Sequence, residues 1–134
     1  MAQLILDTNL LVFAARYGGP LPLVEPCDSI AVAAITIAEF REGIIASKSQ
    51  AAAQERQEFL DRFLQSALAL TYTPNTAVYH AELLHYCRVS GRPRGAHDLI
   101  IAAHAKETGR TIATIDLRAN FADLPGVQVR QPDD

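Results

Sequence analysis

Short apolar runs alternate with longer stretches of helical periodicity along the whole chain. Residues 3–6 (QLIL) have strand character and stop abruptly at Asp7, after which residues 8–16 read as a helix. Residues 29–34, rich in Ile, Val and Ala, form a continuous apolar run, as in a strand buried on both faces, and lead into a helix at Thr36. Over residues 50–68, Phe59, Leu60, Phe63, Leu64 and Leu68 recur at helical spacing, with Glu58 and Arg62 placed as an i,i+4 pair on the outer side. A third strand is predicted at 69–72. Thr73 then serves as an N-cap with Pro74 at the first helical position, and that helix runs to Gly91. A further helix covers 97–108 and stops at Gly109. Its centre, residues 99–103, is apolar on every side and belongs against the sheet. Strands at 111–115 and 127–130 follow, the second after the turn signal Pro125-Gly126.

Strands alternating with helices predict an α/β fold with a central, mostly parallel sheet of about four to five strands flanked by helices. In such sheets the ligand crevice lies beyond the carboxyl ends of the strands, where the winding changes direction. The length of 134 residues fits a single domain spanning 1–134. A 49% hydrophobic and 20% charged composition describes a packed core and excludes a disordered chain. Lys+Arg number 12 against 15 Asp+Glu, and the net charge of -3 argues against a generic basic nucleic-acid clamp. Cys27 and Cys87, with no CxxC and no His at zinc spacing, read as buried thiols of a reduced cytosol. No apolar run approaches the roughly 20 residues of a membrane span. The N-terminus lacks a basic segment, and Asp7, Thr8 and Asn9 interrupt its apolar part, so a cytoplasmic protein is expected.

The chemistry is carried by acids. Asp7 follows the first strand and Asp116 the fourth, while Glu39 and Asp98 lie in the first turns of the helices after strand two and before strand four. Four segments thus bring a carboxylate to one edge of the sheet, which is unfavourable unless a cation neutralises them or some take up protons. Oxygen ligands without Cys or well-placed His suit Mg²⁺ or Mn²⁺. Three of the acids also have structural uses. Thr36-Ile37-Ala38-Glu39 has the form of a capping box, Asp98 complements a helix N-terminus, and Asp116 can cap the turn at 117–120. Asp7 has no such use, because a buried charge that stops a strand needs a partner or a metal.

Four stretches, Leu6-Asp7-Thr8-Asn9, Ile37-Ala38-Glu39-Phe40-Arg41-Glu42-Gly43, His97-Asp98-Leu99-Ile100-Ile101-Ala102-Ala103-His104-Ala105 and Thr114-Ile115-Asp116 followed by Phe121, resemble in order and spacing the four motifs of the PIN-domain nucleases. Among these the likeness is to the VapC ribonuclease toxins of type II toxin-antitoxin (VapBC) systems, and it covers essentially the whole chain. The resemblance implies a three-layer PIN-like fold and a Mg²⁺- or Mn²⁺-dependent endoribonuclease that leaves a 5′-phosphate and a 3′-hydroxyl. It implies that Asp7, Glu39, Asp98 and Asp116 hold the metal, one ion or two, and that Thr8, Asn9 and Thr114 support them. The fourth acid is the most variable position of the family. The resemblance further implies an RNA substrate, a homodimer, and a VapB-type antitoxin that can place a basic side chain in the acidic site. Leu10, Leu11, Phe13, Phe40 and Ile44 are candidates for dimer or antitoxin contacts, with core packing as their commoner use.

Phosphate contacts are expected from Arg92 and Arg94, in an arginine-rich loop just before the Asp98 helix, with Arg41 and Arg118 of lower rank. His97 and His104 lie about two turns apart on one helix, too far for a shared metal, so the four histidines are assigned structural or surface roles, with His97 a substrate-contact candidate beside Asp98. A haloacid-dehalogenase-type phosphatase would need an acid where Asn9 stands. A PIN-like module used only for binding would lack one or more of the acids, and all four are present. Removing the four negative charges from -3 leaves +1, so the acidic excess resides in the proposed metal site.

Overall fold

A computed structural model of the protein describes residues 1–133; Asp134, the end of the span read as one domain, lies outside the described residues. Five parallel strands form one sheet in the order β3-β2-β1-β4-β5. In chain order the elements are β1 (Gln3–Leu6), α1 (Thr8–Tyr17), β2 (Ser29–Ala33), α2 (Ala34–Ile45), α3 (Gln50–Leu64), β3 (Leu68–Leu70), α4 (Pro74–Ser90), α5 (Ala96–Thr108), β4 (Thr111–Ala113) and β5 (Val129–Arg130). Two short 3-10 turns, Leu117–Ala119 and Phe121–Asp123, link the last two strands.

Side chains of successive strand residues point to opposite faces, and this separates two cores. Leu4, Leu6, Val32 and Ala113 pack with Leu10, Leu11, Phe40, Leu60 and Phe63 from α1, α2 and α3. Ile5, Ala33 and Ile112 face the other way, against Leu83 and Cys87 of α4, the buried stretch of α5, and Phe121. A sheet between two helical layers results, as the alternation of elements predicts. The buried centre of α5 is where its all-round apolarity places it: Ile101, Ala102, Ala103, His104 and Ala105 are all buried. His104 therefore has a structural place, not a surface one.

Several expectations shift. α2 starts at Ala34 rather than Thr36, which puts Thr36 inside the first turn. α3 ends at Leu64, and Leu68, placed by periodicity on its buried stripe, is instead 54% exposed on the edge strand β3. Glu58 and Arg62 form no pair; Glu58 and Asp61 accept from Gln54 and Gln57 one turn earlier. Cys87 is buried, but Cys27 is exposed in the β2 approach, so only one of the two thiols fits the core reading.

At the amino-terminal edge of the sheet, Asp28 accepts from the Ala2 and Glu25 amides and from Arg130 Nη1 at 2.8 Å, while the same Arg130 nitrogen donates to the Leu23 carbonyl. These donors hold the Asp28 carboxyl at about 2, below its ordinary 3.8, with the two backbone bonds contributing most. This edge is a structural clamp, and the functional groups lie at the other one.

Candidate functional site

The winding reverses between β1 and β4, neighbours that are remote in the chain, and both end at the same level of the sheet. Asp7 leaves β1 there. Its amide donates to the Ala113 carbonyl, its side chain caps α1 by accepting from the Thr8 amide at 2.8 Å, and its Oδ2 accepts from the Thr114 hydroxyl at 2.7 Å. With only 3% of its surface exposed, Asp7 has its carboxyl pushed up from 3.8 to about 6. Burial is the main cause, opposed by the Thr114 bond, and the charges of Asp98 and Asp116 add to the rise.

Thr114 also accepts from the Asp116 amide at 3.0 Å, so one hydroxyl sets the positions of two acids. β4 ends at Ala113, two residues before the predicted 115, although the Thr114 amide still donates to the Arg130 carbonyl. Asp116 caps the following 3-10 turn through the Arg118 amide, as its structural reading expects, and its Oδ2 accepts from Asn9 Nδ2 at 3.0 Å across 107 positions of sequence. Asn9 therefore spans the site instead of satisfying its own backbone.

Glu39 departs from the capping-box expectation. Thr36 is the third residue of α2, and the Thr8 hydroxyl lies between it and Glu39, 3.1 Å from Thr36 Oγ1 and 2.9 Å from Glu39 Oε1, to which it donates. Thr36 was not among the sequence candidates, since its partner arrives from α1, 28 residues away. Glu39 Oε2 sits 3.0 Å from His97 Nδ1, which brings the histidine beside Asp98 into the site. Asp98 is half-buried in the first turn of α5, and burial followed by the charges of Asp116 and Glu39 raises its carboxyl, with His97 opposing. Gly95, the N-cap of α5, leaves room for it: a Cβ there would stand 3.0 Å from Asp98 Oδ2.

The four acids thus share one electrostatic neighbourhood at the switch point. Among the described residues no three acidic, His or Cys side chains are drawn close enough to close around an ion as they stand. Glu39 is instead bonded to Thr8 and His97, Asp116 to Asn9, and Asp7 to Thr114. Mg²⁺, which keeps most of its waters and uses one or two carboxylates, is compatible with such an all-oxygen set.

The expected arginines divide. Arg94 does not overhang the crevice: its side chain is 8% exposed and bonds Asp123 Oδ2 at 2.8 Å, and Arg92 pairs with Asp123 Oδ1 at 3.0 Å. Asp123, in the turn before β5, has its carboxyl lowered by these arginines despite some burial. No local signal in the sequence joins residues 29 apart. Arg94→Ala should lower the melting temperature by several degrees because it takes away the buried partner of Asp123 and the packing of its own side chain, whereas Arg92→Ala, at 62% side-chain exposure, should leave it nearly unchanged. Thermal unfolding followed by circular dichroism separates the two. Arg41 is exposed, and Arg118, 94% exposed, lies 3.5 Å from Asp116 Oδ1. Leu10, Leu11 and Phe40 are in the core, while Phe13 remains 43% exposed.

The PIN domain model matches residues 4–127. The chain is 29% identical over 128 residues to a protein of Rickettsia felis described as Ribonuclease VapC2, with 92% of each covered. It is 30% identical over 128 residues to Toxin FitB of Neisseria gonorrhoeae, covering 90% of this chain and 92% of that protein. The crystal structure of VapBC2 from Rickettsia felis bound to a DNA fragment from their promoter contains a chain of the same fold, with a TM-score of 0.85, 26% identity and coverage of 98% and 99%.

Proposed function

The chain belongs to the PIN-domain family, and from that premise we propose that it is a VapC-type endoribonuclease toxin that hydrolyses RNA phosphodiester bonds with Mg²⁺ or Mn²⁺. The observation that carries this reading is the buried Asp7, raised to about 6 in company with Asp98, Asp116 and Glu39 at the switch point of the sheet. Charges gathered in this way are costly unless a cation uses them. The resemblance to a ribonuclease and to a toxin over nine-tenths of the chain supports the substrate class.

A divalent cation bound there supplies positive charge against the scissile phosphate and makes water a better nucleophile at neutral pH. The chain's own residues do the rest. Asp7 and Asp98 would hold the ion, Asp7 being fixed by Thr114 and by the Thr8 amide. Glu39, held by Thr8, and Asp116, held by Asn9, would add negative charge around the ion or accept the proton of the attacking water. The phosphorus–O3′ bond would break as the water oxygen adds in line, leaving a 5′-phosphate on one fragment and, once the departing O3′ takes a proton from solvent, a 3′-hydroxyl on the other. In this reading the partners are RNA, a second copy of the chain and a VapB-type antitoxin whose basic side chain would find the acidic crevice. No helix among the described residues is long and apolar enough to cross a membrane.

The decisive experiment incubates purified protein with total cellular RNA, with Mg²⁺, with Mn²⁺ and with EDTA, and sequences the new 5′ ends. Discrete cuts that vanish in EDTA are expected. Cutting that persists in EDTA, or no cutting with either ion, overturns the proposal.

The Thr114 bond offers a finer test. It lowers the Asp7 carboxyl against the effect of burial, so Thr114→Val should raise that carboxyl further. The acid limb of the rate–pH profile should then move to higher pH, with a larger loss of activity at pH 6 than at pH 8. An equal loss at all pH values would show that Thr114 acts only through packing.

A further inference from the structure

With Arg92 and Arg94 committed to Asp123, an RNA chain entering the site needs other cations. An open groove of about 600 Å³ runs between α1 and the Leu117–Ala119 turn, directly beside Asp116 and Asn9. Phe13 and Tyr17 line it with ring centroids 4.6 Å apart, and they stay 43% and 66% exposed despite that contact. Arg16 and Arg118 line it too, both exposed, and Arg16 makes no ion pair among the described residues. Among the described residues, Asp116 is the only acid on its walls.

Flat apolar rings beside the unpaired Arg16 guanidinium and the exposed Arg118, whose guanidinium contacts Asp116 through Nε alone, suit a ligand that is polyanionic along its backbone and offers π faces. Unpaired RNA has both properties, whereas a duplex hides its base faces. Continuity matters as well: Asn9 and Asp116 bond each other and both line the groove, so a strand lying in it reaches the carboxylates. We propose that this groove is the track for the single-stranded RNA flank of the scissile phosphate, with bases stacked on Phe13 and on Tyr17 and phosphates held by Arg16 and Arg118. The inference rests on the endoribonuclease reading and assigns the surface and side chains that lead the strand to the carboxylates.

The test measures affinity and cleavage separately. Affinity is read in EDTA by fluorescence anisotropy of a labelled single-stranded RNA and of the same sequence as a duplex, and cleavage of the unlabelled single strand is read in Mn²⁺. Phe13→Ala and Tyr17→Ala should each weaken single-strand binding about tenfold, in line with the loss of one base–aromatic stack. Phe13→Leu keeps an apolar side chain at α1 and should lose nearly as much as Phe13→Ala. Arg16→Ala should weaken binding and lower the slope of log affinity against log salt by about 0.7, the value for one phosphate contact to a single strand. Duplex binding should be weaker and indifferent to Phe13→Ala.

Unchanged single-strand affinity in the aromatic variants overturns the proposal even if the wild type cuts RNA, as does a wild type with no affinity for single-stranded RNA. Loss of affinity in the variants supports the groove even if no cleavage appears, in which case the endoribonuclease reading falls alone. Variants that bind RNA normally but lose self-association assign the groove to a second copy of the chain and also overturn it.

Discussion

Asp7→Asn and Asp98→Asn should each reduce RNA cleavage by at least about 10³-fold while leaving the protein folded. The expectation rests on where these two acids sit. Asp7 is anchored by the Thr8 amide and the Thr114 hydroxyl, and Asp98 by the first turn of α5, so neither can be replaced by a neighbour moving in. An amide in either place keeps the shape and removes the charge that would hold a cation against the phosphate. Losing one preorganised electrostatic contact at a reacting centre costs about 10² to 10³ in rate, and losing a metal ligand removes more than one such contact. Glu39→Gln and Asp116→Asn should lose less, since their oxygens are already shared with His97, Asn9 and Arg118. The measurement is single-turnover cleavage in Mn²⁺, with circular dichroism to establish folding. Near-normal rates for either of the first two variants would sink the proposed division of roles.

Asp7→Asn should also make the metal-free protein more stable at neutral pH, by up to about 3 kcal/mol. That figure converts the difference between 3.8 and about 6 at 1.36 kcal/mol for each pH unit. The sign follows from which state holds the proton. Between pH 3.8 and 6 the folded chain keeps Asp7 protonated while the unfolded chain has released it, so the Asp7 contribution to stability declines as pH rises through this window and is flat above it. Asp28 and Asp123, whose carboxyls are lowered, act in the opposite sense, and their stabilisation is lost in acid. Wild type minus variant isolates Asp7. The gap in unfolding free energy should be largest at pH 7 and above, and should close toward pH 4. Mg²⁺ or Mn²⁺ should raise the melting temperature of the wild type at pH 7.5 and have little effect on it at pH 5, where protons compete for Asp7. A gap independent of pH would mean that Asp7 is ionised without penalty in the folded chain, which would remove the electrostatic case for a cation. Such a residue trades stability for a charge poised to bind.

Particular residues show how far local reading reaches. The end of a buried strand at Asp7 and the cap at Thr73-Pro74 are visible because each depends on residues within a few positions. The capping box at Thr36 and Glu39 was equally visible and did not form. Its residues were within reach of each other, but Thr8 offered a competing hydroxyl from another helix. The arginines before α5 looked free because the acid that claims them, Asp123, lies 29 residues beyond Arg94. Phe13 stands in the sequence beside Leu10 and Leu11 as a candidate for packing or partner contacts, and only the tertiary structure leaves it, with Tyr17 just past the predicted helix, open to solvent beside the acids.

By itself the amino-acid order determined the alternation of strands and helices, the parallel sheet, and the delivery of four acids to one edge, since periodicity and strand ends are short-range properties. Tertiary structure decided which groups meet there. Thr114 reaches Asp7, and Asn9 reaches Asp116, across 107 positions of chain, and burial between two helical layers raises the Asp7 carboxyl. Charge, burial and hydrogen bonding act through space, so their balance at the crevice exists only once the sheet has been wound.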